Sequence, residues 1–176
     1  LDVRDAFPSV QSGPYIYMFN HTSLLDTFIA IAILPEFTGA IGKKEQFRIP
    51  IWGHLLRRWG TIPIERGKLQ SAIQSLNKAE IIMNAGNSLL IAPEGTRSAD
   101  GHLQPFKKGP FHIAIKTQTP IVLIGIIGAF QSKRKGSWLL RPGTITVHIP
   151  PPIPTKGHTV LSLREEAQRV MCSVVV

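Results

Sequence analysis

The sequence predicts one α/β domain over residues 1–176, built on a largely parallel or mixed central sheet with helices on both faces. Short apolar runs bounded by turn residues, "YIYMFN" (15–20), "NSLLIAP" (87–93) and "PIVLIGIIG" (120–128), read as buried strands. Amphipathic stretches at helical spacing separate them, so strand and helix alternate. The 176 residues, 43% hydrophobic and 18% charged, suffice for one globular domain with a substantial core.

The strand at 15–20 leads into a helix from Ser23 to Leu34, stopped by Pro35. "TGAIG" (38–42) is a short strand. A second helical pattern carries Phe47, Ile51, Trp52, Leu55, Leu56 and Trp59 on one side, kinked at Pro50 and ended by Gly60. "TIPIER" (61–66) is the next strand. Residues 68–85 form the cleanest helix, with Leu69, Ala72, Ile73, Leu76, Ala79 and Met83 in phase and Gly86 at the stop. After the strand at 87–93 comes the polar loop "EGTRSADGHLQP", a helix at 108–117 and the strand at 120–128. The basic turn "SKRKG", an alternating strand "TITVHIP", a Pro-rich connection and a helix from Leu161 to Cys172 complete the chain.

Twenty Lys and Arg against eleven Asp and Glu give +9 and a pI near 10.1, which favours anionic partners: nucleic acid, an acidic membrane surface or phosphorylated metabolites. The single cysteine, Cys172, rules out an internal disulfide framework and a cysteine-based metal cluster. The longest early apolar run, "TFIAIAIL" (27–34), falls far short of the roughly 18 residues of a spanning helix. The chain begins with Leu, so an upstream signal or anchor is compatible with it.

Two loops at strand ends carry the chemistry. In "NHTSLLD" (20–26) His21 precedes Asp26 by five residues, which on a continuous helix leaves them about 140° out of alignment. They meet only if the backbone bends. Ser23 followed by Asp26 ahead of an apolar run matches a capping box and supplies that bend, with His21 in the preceding loop. A carboxylate accepting one imidazole N–H leaves the other nitrogen free as a general base. The alternative is a capping aspartate beside an ordinary loop histidine. No G-x-S-x-G elbow occurs, so a base here points to a nucleophile carried by the substrate, a hydroxyl acceptor in a transfer reaction.

In "APEGTRS" Glu94, Gly95, Thr96 and Arg97 leave a strand end, where glycine permits close approach and the planar guanidinium fits a phosphate. The alternative is a surface loop in which Arg97 pairs with Glu94. Lys43, Lys44 and Arg66 close or follow strands and reach the same rim, whereas Arg57 and Arg58 belong to a solvated helix face. Lys107 and Lys108 precede a helix start. The remaining histidines show no metal-ligand spacing, so no metal is expected, and "NHT" as a glycosylation site is set aside.

In this order the motifs resemble the glycerolipid acyltransferase family, most of all the 1-acyl-sn-glycerol-3-phosphate acyltransferases. "NHTSLLD" looks like the N-H-x-x-x-x-D block, "KKEQFRIPIWGHLLRRWGTIPIERG" the second, "APEGTRS" and "LQPFKKGPFHIAIKTQTPIV" the third and fourth, and "RPGTITVHIPPPIPT" the closing strand. The resemblance implies acyl transfer from acyl-CoA or acyl carrier protein to the sn-2 hydroxyl of 1-acylglycerol 3-phosphate, giving phosphatidic acid. His21 and Asp26 would be catalytic; Glu94, Gly95, Thr96 and Arg97 would bind the acceptor phosphate, with Lys43, Lys44 and Arg66 as supporting cations. It further implies no cofactor beyond the acyl thioester, a membrane surface as partner, no nucleic acid, and association with the cytoplasmic face of a membrane. Leu123 after "PIV" departs from a common P-I-V-P-V pattern, which bears on chain-length selectivity. Members commonly carry an N-terminal membrane-embedded segment absent here, so the chain reads as a fragment lacking its anchor. Competing readings are the same chemistry on glycerol 3-phosphate or another lysophospholipid, and a non-catalytic basic module binding lipid or nucleic acid.

Overall fold

The computed structural model describes residues 1–5, 7, 13–35, 38–65, 69–134 and 136–175, with the backbone alone at 69 and 72. The strands are β1 (Asp2–Arg4), β2 (Ile16–Phe19), β3 (Thr38–Lys43), β4 (Ile62–Ile64), β5 (Ser88–Ile91), β6 (Ile121–Ile127) and β7 (Thr146–His148). The helices are α1 (Leu25–Ile33), α2 (Trp52–Arg58), α3 (Leu69–Asn84), α4 (Gly109–Thr117), the single turn α5 (Ala129–Ser132) and α6 (Val160–Val175). One sheet runs β1-β7-β6-β2-β5-β3-β4; β7 is antiparallel to β6 and every other neighbouring pair is parallel. The mixed sheet expected from the apolar runs is therefore present.

The central strands owe their continuous apolar character to burial on both faces. Along β2, Ile16 and Met18 point to one side, where Leu89, Ile121 and Leu123 meet Met83 of α3, Phe111 of α4 and Leu163 of α6. Tyr17 and Phe19 point to the other, against Val122, Ile124, Ala30 of α1 and Ala129 of α5. The period-2 alternation thus feeds two cores with helices outside each.

The pattern at 47–59 is not one kinked helix. Residues Lys44–Arg48 form a 3₁₀ turn, Ile49 is extended (ψ 122°), and α2 begins only at Trp52. Proline disfavours the helical conformation in the residue before it and lacks the N–H that a helix interior needs, so Pro50 separates two short elements. The expected apolar face is lost with the phase: Ile51 is 80% exposed, at φ +61°, and Leu55 is half exposed. Gly53 is buried instead, because a Cβ there would lie 2.3 Å from the Phe47 carbonyl oxygen. The short edge strand β1 and the turn α5 carry too little periodicity to be read in advance. α6 runs beyond the expected 161–172. At its start Thr159 Oγ1 accepts from Ser162 N at 3.2 Å and Ser162 Oγ accepts from Thr159 N at 2.9 Å.

Among the described residues, no helix is long and apolar enough to cross a membrane. The carboxyl ends of β6, β2, β5, β3 and β4 open on one edge of the sheet, where loops of parallel sheets gather their functional side chains.

Candidate active site

β2 lies between β5 and β6, so the loop after Phe19 sits beside the loop after Ile91. Asn20 fixes the departure from β2: its Nδ2 donates to the Ile126 carbonyl at 2.9 Å and its Oδ1 accepts from Ile126 N at 2.7 Å. These bonds extend the β2–β6 pairing by a side chain and direct the next residue over the sheet edge.

Asp26, fully buried in the first turn of α1, folds that loop around itself. Its Oδ2 accepts from the amides of Thr22 and Ser23, both at 2.6 Å, and lies 3.3 Å from His21 Nδ1. The capping-box expectation holds in this backbone half. The other half differs, since Ser23 Oγ accepts from Leu25 N at 3.2 Å and donates to the Lys133 carbonyl at 2.7 Å, and the helix begins at Leu25 rather than Ser23. A carboxylate in this position can only accept from the imidazole, which puts the proton on Nδ1 and leaves Nε2 as an acceptor. Phe19 braces the ring edge-on, with centroids 5.4 Å apart. The His21 side chain is 14% exposed, enclosed yet reachable. The bend posed by the 21–26 spacing is thus made, and the two side chains meet.

The neighbouring loop clamps the His21 backbone. Glu94, 1% exposed, accepts from His21 N through Oε1 at 2.6 Å and from Gln104 N through Oε2 at 2.9 Å. Ser98 N donates to the His21 carbonyl at 2.8 Å. Burial pushes the Glu94 carboxyl up to about 7, against the two amide bonds that lower it and with the nearby Asp26 charge raising it further. The "EGTR" loop therefore has two faces: Glu94 turns inward to hold the histidine loop, while Thr96 is exposed and Arg97 half-buried at the rim.

Gly95 takes φ +73° in the turn closed by its own N–H on the Ala92 carbonyl at 3.0 Å. Its Cα hydrogen side faces the Lys107 side chain, whose Cγ would lie 3.6 Å from an added Cβ. Lys107 N in turn donates to the Pro93 carbonyl at 2.8 Å. Lys107 thus joins the turn as a cation that the sequence marked only as preceding a helix.

Lys43 and Lys44 stand at the end of β3 on the same edge, one strand beyond β5. Their ammonium groups face Glu45 at 3.7 Å and Glu65 at 3.3 Å, respectively. Arg66 lies outside the described residues. Arg57 is exposed on α2, over the Phe47 ring and bonded to the Phe47 carbonyl, as a solvated helix face requires. Among the described residues, no group of three His, Cys, Asp or Glu side chains is placed to hold a metal ion.

The family described as Acyltransferase matches this chain over residues 2–127. A 1-acyl-sn-glycerol-3-phosphate acyltransferase of Limnanthes alba is 41% identical over 146 residues, 82% of this chain and 52% of the relative. That of Cocos nucifera is 41% identical over 141 residues, 80% of this chain and 46% of the relative. The human alpha enzyme of the same name is 32% identical over 177 residues, 99% of this chain and 62% of the relative. The chain thus spans about half the length of the first two curated relatives. The crystal structure of the 1-acyl-sn-glycerophosphate (LPA) acyltransferase PlsC from Thermotoga maritima superposes with a TM-score of 0.86 at 28% identity, over 98% of this chain and 70% of that one. The chain belongs to the Acyltransferase family.

Proposed function

We propose that this chain transfers a fatty acyl group from an acyl thioester to the free hydroxyl of 1-acylglycerol 3-phosphate, forming phosphatidic acid and a thiol. The observation that carries the reading is the His21–Asp26 contact at the sheet edge, clamped by the loop that bears Arg97. His21 Nε2 accepts the hydroxyl proton as the oxygen attacks the thioester carbonyl carbon; Asp26 holds the imidazolium that forms. The C–S bond then breaks, and the thiolate takes the proton back from His21. A thiol, whose ordinary pKa is about 8.5, leaves readily, so no separate strong acid is required. Arg97, with Thr96 and the Gly95 turn, receives the acceptor phosphate; Lys107, Lys43 and Lys44 raise the positive potential of that rim. Glu94 acts through His21 as a positioning residue.

The donor is the thioester of coenzyme A or acyl carrier protein, no other cofactor enters the reaction, and the acceptor is presented at a membrane surface on the cytoplasmic face. The names of the relatives and the PlsC neighbour support the choice of acceptor. His21→Ala tests the base: acyl transfer to 1-acylglycerol 3-phosphate falls to background while circular dichroism is unchanged. Retained turnover would remove His21 from the chemistry. A parallel panel of glycerol 3-phosphate and lysophosphatidylcholine fixes the acceptor, and preference for either over 1-acylglycerol 3-phosphate would reassign it.

A further inference from the structure

Among the described residues the most exposed large apolar side chain is Trp138, 96% exposed, followed in sequence by Leu139 at 59% and Leu140 at 63%. They form the tip of the connection between α5 and β7, and the connection is built to present them. Arg141 N donates to the Ser132 carbonyl at 2.9 Å and closes its neck. Inside the loop, the Lys133 ammonium donates to the Ser137 carbonyl and Leu139 N donates to Ser137 Oγ at 3.0 Å. An apolar tip held open by its own hydrogen bonds has given up the inward packing that would ordinarily stabilise it.

The loop is also fastened to the candidate active site. Ser23, between His21 and Asp26, donates its hydroxyl to the Lys133 carbonyl at 2.7 Å. Leu140 and Leu25, the first residue of α1, line one surface hollow. Farther along α1, Phe28 packs on Trp52 with centroids 5.6 Å apart, adjoining the exposed Ile51. Exposed apolar groups thus stand at the start of α1, next to the loop that carries His21, and again farther along the same helix.

Charge selects what this rim meets. Lys133, Arg134 and Arg141 collar the tip, and Arg134 lies over the Phe130 ring at 5.5 Å. Lys135 belongs to the same run, and between Asp100 and Glu165 the sequence contains no acidic residue but nine Lys or Arg. An indole at the tip, two leucines beside it and a cationic collar match the interface of a bilayer that carries anionic headgroups.

We propose that the Trp138–Leu140 tip is an interfacial anchor that seats the chain on anionic lipid, holding the loop that carries His21 close to the lipid surface. The inference rests on the acyl-transfer reading only for its purpose, which is to let the acceptor reach His21 from the bilayer. Leu139→Asp/Leu140→Asp removes the apolar contact and adds repulsion, so sedimentation with phosphatidylglycerol vesicles falls by more than about tenfold. Arg134→Gln/Arg141→Gln weakens it by about fivefold per charge, and this part disappears in high salt.

Brominated phosphatidylglycerol quenches the emission lost in Trp138→Phe. Turnover of a short-chain, water-soluble acceptor stays at the native rate in both double variants, which also reports that they fold. Native-like sedimentation of the double aspartate variant would overturn the proposal. So would unquenched Trp138, binding to phosphatidylcholine vesicles that equals binding to phosphatidylglycerol, or Trp138 already shielded by self-association without lipid. If the native chain turns over no acceptor, the function proposal fails while the vesicle measurements still decide the anchor.

Discussion

Glu94→Gln separates the two things that Glu94 does. The carboxylate is buried and accepts one amide on each oxygen, from His21 and Gln104. Glutamine has a single acceptor oxygen, so one of those amides faces an NH₂ group. Stranding a buried donor in this way costs about 1–3 kcal/mol. The native carboxyl carries its own penalty, because its pKa is raised from 4.5 to about 7. The folded chain therefore binds this proton more tightly than the unfolded chain does. Between pH 4.5 and about 7 the folded state holds more protons, and stability falls as pH rises through that window. The shift corresponds to about 3 kcal/mol, present below 4.5 and lost above 7.

Glutamine does not titrate. The stability gap between native chain and variant, largest at pH 4.5, should thus close by about 3 kcal/mol by pH 8 and can invert. Urea unfolding of both chains across that range measures the gap. Activity should not follow it: the ionised carboxylate positions the His21 amide, and kcat of the variant falls by about 10- to 100-fold even at pH 8, where the stabilities converge. Parallel pH-stability curves would refute the buried titration, and a native kcat would refute the positioning role.

Asp26→Asn keeps an oxygen for the amides of Thr22 and Ser23, which share Oδ2 in the native chain, but removes the negative charge that holds the imidazolium; kcat should drop by roughly 10²–10⁴-fold, and a smaller loss would detach Asp26 from the histidine. Arg97→Lys keeps the charge but not the planar fork, so KM for 1-acylglycerol 3-phosphate should rise by about tenfold with kcat nearly unchanged. An unaltered KM would place the phosphate elsewhere. Asn20→Ala strands both polar groups of Ile126, at about 1–3 kcal/mol each, and the urea midpoint should fall accordingly. Gly53→Ala forces a Cβ within 2.3 Å of the Phe47 carbonyl oxygen, and thermal unfolding should report about 1–3 kcal/mol of destabilisation.

The sequence by itself determined the elements whose signal is local. Continuous apolar runs marked β2, β5 and β6 because a strand covered on both faces has no polar side to show. Three-to-four spacing marked α3, and the bend that lets His21 meet Asp26 was legible in the capping motif at 23–26. At 47–59 the same kind of signal points to one helix where there are two short elements: the periodicity continues past Pro50, but the backbone restriction that proline imposes on Ile49 takes precedence.

Tertiary structure decided what depends on strand order. Placing β5 beside β2 brings residue 94 under residue 21, and so turns Glu94 from a neighbour of Arg97 in the chain into the clamp on the histidine backbone. Placing β6 on the other side brings Ile126 to Asn20 and the loop at 133 to Ser23. β1 pairs with β7, its residues matched across 144 positions of sequence, for the same reason. Such contacts leave no period in the chain, because at least one partner in each is a backbone amide or carbonyl, which carries no mark in the sequence.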